Sequence, residues 1–229
     1  MMDVEVAKLS AARACLKLVE DAGIIGVGTG TTVEKFIDLL SEREVFRSKL
    51  YVPSSLDTAA KLAAKGFRVL HPSSTTGVDV YVDGADEVDP SLNMIKGGGA
   101  ALTMEKILAF YAKRRVFIVD FTKLVEKLGS KHPVPVEVLP PALNMVMEFL
   151  RNRGFKVRPR SPGKGKVGPV ISDLGGVVVD VETGPIENPV ELENVFRSMP
   201  GVVETGLFLG LADAVVVGWP DRYEIRVLQ

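Results

Sequence analysis

Two neighbouring stretches of the sequence hold the side chains best suited to moving protons. Asp83-Gly84-Ala85-Asp86-Glu87-Val88-Asp89 gathers carboxylates, and Lys96-Gly97-Gly98-Gly99-Ala100-Ala101-Leu102-Thr103-Met104-Glu105-Lys106 adds a cation, a triple-glycine turn and a further acid. A carboxylate held in a dry crevice works as a general base, and an ammonium beside it stabilises the oxyanion that forms when a proton leaves carbon. Glu105 is placed about a turn and a half into a helix expected from about Ala100 to Lys113, where burial would raise its pKa towards a base's working range. Taken alone, a helical Glu followed by Lys106 reads more readily as a solvent-facing charge, and only its neighbours favour the base. The three glycines abandon side-chain packing, which is tolerated where a ligand must approach the main chain.

The acidic loop also admits a metal reading. The calcium-loop pattern fails, because counting from Asp83 places Ala85 at position three, Val88 at six and Met94 where the closing Glu belongs. A magnesium site on two carboxylates stays open, as does an ordinary solvated turn. With only His71 and His132 present, a zinc cluster finds no support.

A third stretch points to phosphate. Gly26-Val27-Gly28-Thr29-Gly30-Thr31-Thr32 follows an apolar run and opens a helix, the setting in which backbone N–H groups and the helix dipole hold an anion. The glycine spacing is not that of the dinucleotide fingerprint, Ser54-Ser55 stands where a ribose-binding acid would be wanted, and the Gly-Lys-Ser/Thr of a P-loop is missing. Hydroxyls at Thr29, Thr31 and Thr32 suit a terminal phosphate monoester, with Thr31 or Thr32 capping the helix. A plain tight turn is the alternative. Lys123, just past a strand, and Lys8, on the first helix, are candidate charge partners for the phosphate; without one they read as surface lysines.

These residues need a scaffold, and the hydrophobic pattern describes one. Apolar runs at 24–28, 50–52, 67–70, 78–82 and 116–119 alternate with helical periods, which predicts a mostly parallel open sheet with helices on both sides. Four of the runs are followed at their carboxyl ends by Gly28 to Thr32, Ser54-Ser55, Asp83 to Asp89 and Asp120 to Lys123, the edge on which open α/β sheets bind ligands. After about residue 131 the order becomes β-α-β-β-α-β, a ferredoxin-like plan, with Val170-Ile171-Ser172 part of its hairpin and Pro159 to Gly168 an exposed loop. The runs at 214–218 and 223–228 are expected to return to the first sheet. The predicted organisation is a Rossmann-like α/β domain of residues 1–131 plus 208–229 carrying an inserted α+β domain of residues 132–207.

The composition narrows the classes. The 229 residues carry 28 Lys+Arg against 29 Asp+Glu, which removes the broad basic footprint of a dedicated nucleic-acid binder. The single Cys15 cannot form an intrachain disulfide, no apolar run is long enough to span a bilayer, and the acidic start lacks a signal-peptide plan, so a cytoplasmic protein with no membrane partner is expected.

In order and spacing these segments resemble type A ribose-5-phosphate isomerase over nearly the whole chain. The resemblance rests on the Gly-x-Gly-Thr-Gly-Thr-Thr turn, Ser54-Ser55, Tyr81-Val82-Asp83-Gly84-Ala85-Asp86-Glu87, Ile95-Lys96-Gly97-Gly98-Gly99-Ala100-Ala101-Leu102 with Glu105-Lys106, Pro135-Val136-Glu137-Val138, and Gly201-Val202-Val203-Glu204-Thr205-Gly206-Leu207-Phe208. Thr31 stands where a serine is common, a change that keeps the hydroxyl. The resemblance implies interconversion of D-ribose 5-phosphate and D-ribulose 5-phosphate, in the non-oxidative pentose phosphate branch, without a metal or organic cofactor. It places Glu105 as the proton-transfer base, Asp83 as the acid/base of ring opening, and Asp86 and Lys96 on the groups that bind and polarise the reacting oxygens. Thr29, Gly30, Thr31, Thr32, Ser54, Ser55, Gly84, Ala85, Gly97, Gly98, Gly99, Lys123 and Lys8 fall on substrate contacts. A phosphorylated pentose is then the small-molecule partner, and a homodimer or homotetramer the assembly, with Val134, Val136, Leu207 and Phe208 as contacts if exposed. The main rival is a sugar-phosphate-sensing effector domain, which would accompany a DNA-binding helix-turn-helix and could dispense with Glu105. An amino-sugar phosphate isomerase would be expected to open its ring with a histidine, and neither His71 nor His132 lies in the motif loops.

Overall fold

The computed structural model of the chain describes residues 2–163 and 165–228; Met1, Lys164 (in the expected loop) and Gln229 lie outside it. In chain order the first elements are α1 (Met2–Cys15), β1 (Ile24–Val27), α2 (Thr31–Ser41), β2 (Leu50–Pro53), α3 (Leu56–Ala64), β3 (Arg68–Val69) and β4 (Val80–Asp83). Next come β5 (Glu87–Val88), β6 (Met94–Ile95), α4 (Leu102–Phe110), β7 (Arg115–Asp120), β8 (Val134–Val138), α5 (Leu143–Arg151) and β9 (Lys156–Pro159). The chain ends with β10 (Val177–Glu182), α6 (Pro189–Arg197), β11 (Val202–Thr205), β12 (Leu207–Phe208), β13 (Ala214–Gly218) and β14 (Tyr223–Arg226). Among the described residues no helix is long and apolar enough to cross a membrane.

The chain divides into two compact units. The first holds Met1–Ala85, Met104–Leu124 and Gly210–Gln229, and the second Asp86–Thr103 and Val125–Leu209. The first is a seven-stranded sheet of order β14-β13-β7-β4-β1-β2-β3, parallel except for the β14 edge. Its central strands are buried on both faces, as a parallel sheet covered by helices requires. Ile25, Val27, Val80, Val82, Val116 and Ile118 pack on one face with Ala11, Cys15 and Leu16 of the N-terminal helical segment and Val33, Phe36 and Leu40 of α2. Cys15 is buried in that layer, and burial pushes its thiol pKa up. The tail strands β13 and β14 do return to this sheet, β13 beside β7.

One half-buried tie closes the β7–β13 pair. Arg115 forks onto Asp213, Nε to Oδ2 at 2.9 Å and Nη2 to Oδ1 at 2.7 Å, and its backbone N–H donates to Oδ2 at 2.7 Å. The guanidinium hydrogen bond is the main cause holding the Asp213 carboxyl below the usual range. A folded pKa that is lowered means stability present above the unfolded value and lost as pH falls through the folded one. Solvent screening limits the pair to about 1 kcal/mol. Asp213→Asn is therefore expected to lower the unfolding free energy by about that amount at pH 7 and by progressively less in urea melts below about pH 4.

The second unit contains an antiparallel sheet of order β11-β8-β10-β9, with α5 and α6 supplying the two crossovers of the βαββαβ plan. Alternation along β8 and β10 sends Val134, Val136, Val138, Val179 and Val181 into a core with Val146, Leu150 and Phe196. Pro135, Glu137, Val178 and Asp180 take the other face.

Three expectations change. Val170 to Ser172 does not form a strand; Ile171 makes a single bridge to Val177. The second unit is larger than residues 132–207, because β5 and β6 form a hairpin that pairs with β12 in a separate three-stranded sheet and so draws in residues 86–103. Val134, Val136, Leu207 and Phe208 are buried within the chain, so they offer no contact surface.

Candidate active site

In the first unit the site is built where the strand order changes direction. From β1 the chain moves outward through β2 and β3, then returns to place β4 on the other side of β1, so the carboxyl ends of β1 and β4 flank the switch point at which α/β sheets bind ligands. The turn after β1 carries Gly28 to Thr32, and β4 ends in Asp83.

Asp83 is fully buried and tied to that turn. Its Oδ1 accepts from the N–H groups of Thr29 (3.1 Å) and Gly84 (2.7 Å), and its Oδ2 accepts from the Tyr81 hydroxyl at 2.5 Å. Gly28 has no alternative here, since a Cβ would lie 1.9 Å from the Asp83 carboxyl carbon. Tyr81 precedes Asp83 by two residues, so the pleat turns both to the same face. Burial above all, then the charges of Asp83 and Glu105, hold the Tyr81 phenol well above its ordinary pKa, which keeps it a neutral donor.

Glu105 is 2% exposed. It sits nearer the helix start than the sequence implied, because Ala100 adopts φ +61, a left-handed conformation costly for a residue with a side chain, and α4 begins only at Leu102. Its carboxylate therefore lies in the first turn, at the favourable end of the helix dipole.

The hydroxyls around the turn form a cluster. Thr29 Oγ1 lies 2.9 Å from Ser54 Oγ, donates to Ser55 Oγ at 2.7 Å and lies 3.2 Å from Thr58 Oγ1, which itself donates to the Gly28 carbonyl at 2.7 Å. Gly30, at φ +134, is the N-cap of α2, so neither Thr31 nor Thr32 caps it as expected; both lie in the first helical turn, Thr31 exposed and Thr32 buried. On β7 the buried Asp120 caps the following short helical turn by accepting from Thr122 N–H at 3.0 Å, and Lys123 closes that turn. Lys8 is ion-paired to Glu5 at 2.8 Å. Lys35 and Lys8 together hold the Glu5 carboxyl down at about 2.

The other expected residues belong to the second unit. Asp86 accepts from Gly98 N–H at 2.8 Å. Lys96 is 2% exposed, its backbone N–H donates to Gly206 O at 2.9 Å, and its ammonium stands 5.2 Å from the centre of the Phe208 ring. The remaining acids of the 83–89 loop have architectural partners. Glu87 accepts from three backbone N–H groups, of Gly129, Lys131 and His132, each at 2.6 Å. Asp89 braces the β5–β6 hairpin through Asn93 N–H at 2.8 Å. Among the described residues no three His, Cys, Asp or Glu side chains gather as a metal-binding group.

The expected residues thus divide into Lys8, Thr29 to Thr32, Ser54, Ser55, Asp83, Gly84, Ala85, Glu105 and Lys123 in the first unit and Asp86, Lys96 and Gly97 to Gly99 in the second. Tyr81, Thr58 and Phe208 were not singled out as site residues. Tyr81 could have been found from its two-residue spacing to Asp83; Phe208 carries no such signal, because its partner is more than a hundred residues away.

Comparison with known proteins places the chain in a family. The sequence model of the family Ribose 5-phosphate isomerase A (phosphoriboisomerase A) matches residues 50–222. The chain is 52% identical over 199 residues to the ribose-5-phosphate isomerase A of Aeropyrum pernix, covering 86% of this chain and 83% of that one. It is 42% identical to the protein of the same name from Thermococcus kodakarensis, over 96% and 97% of the two chains. Among solved structures, a D-ribose-5-phosphate isomerase in complex with phospho-erythronic acid superposes with a TM-score of 0.93 at 40% identity, covering 99% of this chain and all of that one. Ribose 5-phosphate isomerase A from Methanocaldococcus jannaschii gives a TM-score of 0.90 at 37% identity over 96% and 98%. The chain belongs to the ribose 5-phosphate isomerase A family.

Proposed function

We propose that this protein is an aldose–ketose isomerase that interconverts D-ribose 5-phosphate and D-ribulose 5-phosphate through an enediolate. The observation that carries the reading is the buried pair of carboxylates, Asp83 beneath the Gly28–Thr32 turn and Glu105 in the first turn of α4, both close enough to act on Tyr81. Such a reaction moves a weakly acidic proton from carbon 2 to carbon 1, which calls for one held base and a cation at the developing oxyanion.

In this reading Glu105 takes and returns the proton. Asp83, fixed by Thr29, Gly84 and Tyr81, passes a proton to or from the ring oxygen as the furanose opens. Lys96 and Asp86 bind and polarise the reacting oxygens. The amides and hydroxyls of Thr29 to Thr32, with Ser54, Ser55, Gly84, Ala85, Gly97 to Gly99 and Lys123, hold the rest of the sugar and its phosphate, whose binding energy orients the carbons for transfer. Lys8 joins that set once it exchanges Glu5 for the phosphate. The reading includes a homodimer or homotetramer in the cytoplasm; the exposed apolar residues Leu139, Met145 and Phe149 of the second unit support self-association.

The test is conversion of ribose 5-phosphate by the purified chain after treatment with EDTA, with ribulose 5-phosphate as the measured product. Full turnover is expected. Binding of the sugar phosphate without turnover would move the protein to the sensing class, and loss of turnover to EDTA would return the acidic loop to a metal role.

A further inference from the structure

The triple-glycine turn is held from behind by a pair of side chains that no part of the reaction scheme uses. Arg160 stands one residue past β9, on the sheet face that also carries Asp180 of β10. Its Nη1 donates to the carbonyl oxygens of Gly97 at 2.6 Å and Gly98 at 3.0 Å. Its Nε lies 3.1 and 3.2 Å from the two oxygens of Asp180, and its Nη2 donates to Asp180 Oδ1 at 2.5 Å. The pair is withdrawn from solvent, with side-chain exposures of 16% and 9%.

The Gly97 carbonyl and the Gly98 N–H belong to one peptide unit. Arg160 holds the first and Asp86 the second, so the plane of that peptide is fixed at both ends. Only glycine leaves room for this contact at position 98, where a Cβ would sit 2.8 Å from Asp86 Oδ1. A glycine peptide left to itself rotates at little cost, and rotating this one would take the N–H away from Asp86. Lys96 is the residue immediately before.

We propose that Arg160, oriented by Asp180, is a positioning residue for the isomerisation: by locking the Gly97–Gly98 peptide it fixes the Asp86 carboxylate and the turn that follows Lys96. The inference rests on the isomerase reading of Asp86 and Lys96. Only arginine meets the demand, since its planar fork reaches a carboxylate and two carbonyls at once, whereas a lysine ammonium is a point donor.

The test compares kcat and KM for ribose 5-phosphate in wild type, Arg160→Lys and Asp180→Asn, with unfolding midpoints and circular dichroism of each. In Arg160→Lys kcat is expected to fall roughly ten- to a hundredfold, as for other small misplacements of reacting groups, while KM and the midpoint stay near wild type. Asp180→Asn should shift in the same direction by less. Wild-type kcat in both variants, a loss confined to KM, or a loss that only follows the fraction of folded protein would each overturn the positioning role. A wild-type chain that does not turn over ribose 5-phosphate would instead reject the isomerase reading on which the role stands.

Discussion

Glu105→Gln is expected to reduce isomerisation by roughly a hundredfold to ten-thousandfold while the chain stays folded and still binds a linear phosphorylated sugar acid. The substitution keeps the shape and much of the hydrogen-bonding capacity of the side chain and removes its ability to hold a proton. Glu105 is 2% exposed, so no bulk water stands ready to replace it as base. The effect should appear in kcat, because abstraction of the carbon-bound proton is a transition-state event and the phosphate handle is untouched. A second readout isolates the step: in deuterated water the wild type should exchange the hydrogen at carbon 2, and Glu105→Gln should not. Wild-type exchange in the variant would assign the base elsewhere, with Asp83 the next carboxylate to test.

The parallel sheet and its polar edge were legible in the sequence because both signals are local. The strands β1, β2, β4, β7 and β13 each hold a contiguous apolar run, and Gly28, Ser54, Asp83 and Asp120 fall just at or past the end of one. The βαββαβ order was legible for the same reason. What could not be read was pairing between distant short segments. Glu87–Val88, Met94–Ile95 and Leu207–Phe208 are two-residue strands, too brief to show a period, yet their sheet sets where the second unit begins.

The same limit shaped the reading of the site. In sequence, Asp83, Asp86, Glu87 and Asp89 are four similar acids in one loop; only tertiary contacts separate the carboxylate under a glycine turn from one caged by three amides and one bracing a hairpin. Arg160 beside a Pro/Gly/Lys loop resembles any surface charge, since its partners are main-chain carbonyls more than sixty positions back and an acid on a neighbouring strand. Residue type marks which groups can do chemistry, whereas their division of labour is set by contacts between segments far apart in sequence.

Lys96→Ala should lower turnover by roughly two to three decades, the usual cost of about 3 to 4 kcal/mol for losing one oxyanion donor. The placement of Lys96 supports an effect of that size. It is 2% exposed and stands 5.2 Å from the centre of the Phe208 ring, so its charge is screened far less than a surface lysine's and acts strongly on an oxygen that becomes negative beside it. Taking an ammonium out of water carries a desolvation cost of its own, so the unfolding midpoint is measured beside kcat to separate loss of rate from loss of fold. Lys96→Met, which fills the space without the charge, should match Lys96→Ala in rate if electrostatics is the cause. Lys96→Arg should not restore the wild-type rate, because a broad planar fork cannot occupy the site of a compact ammonium. A Lys96→Met variant with near-wild-type kcat would show that the side chain contributes packing alone.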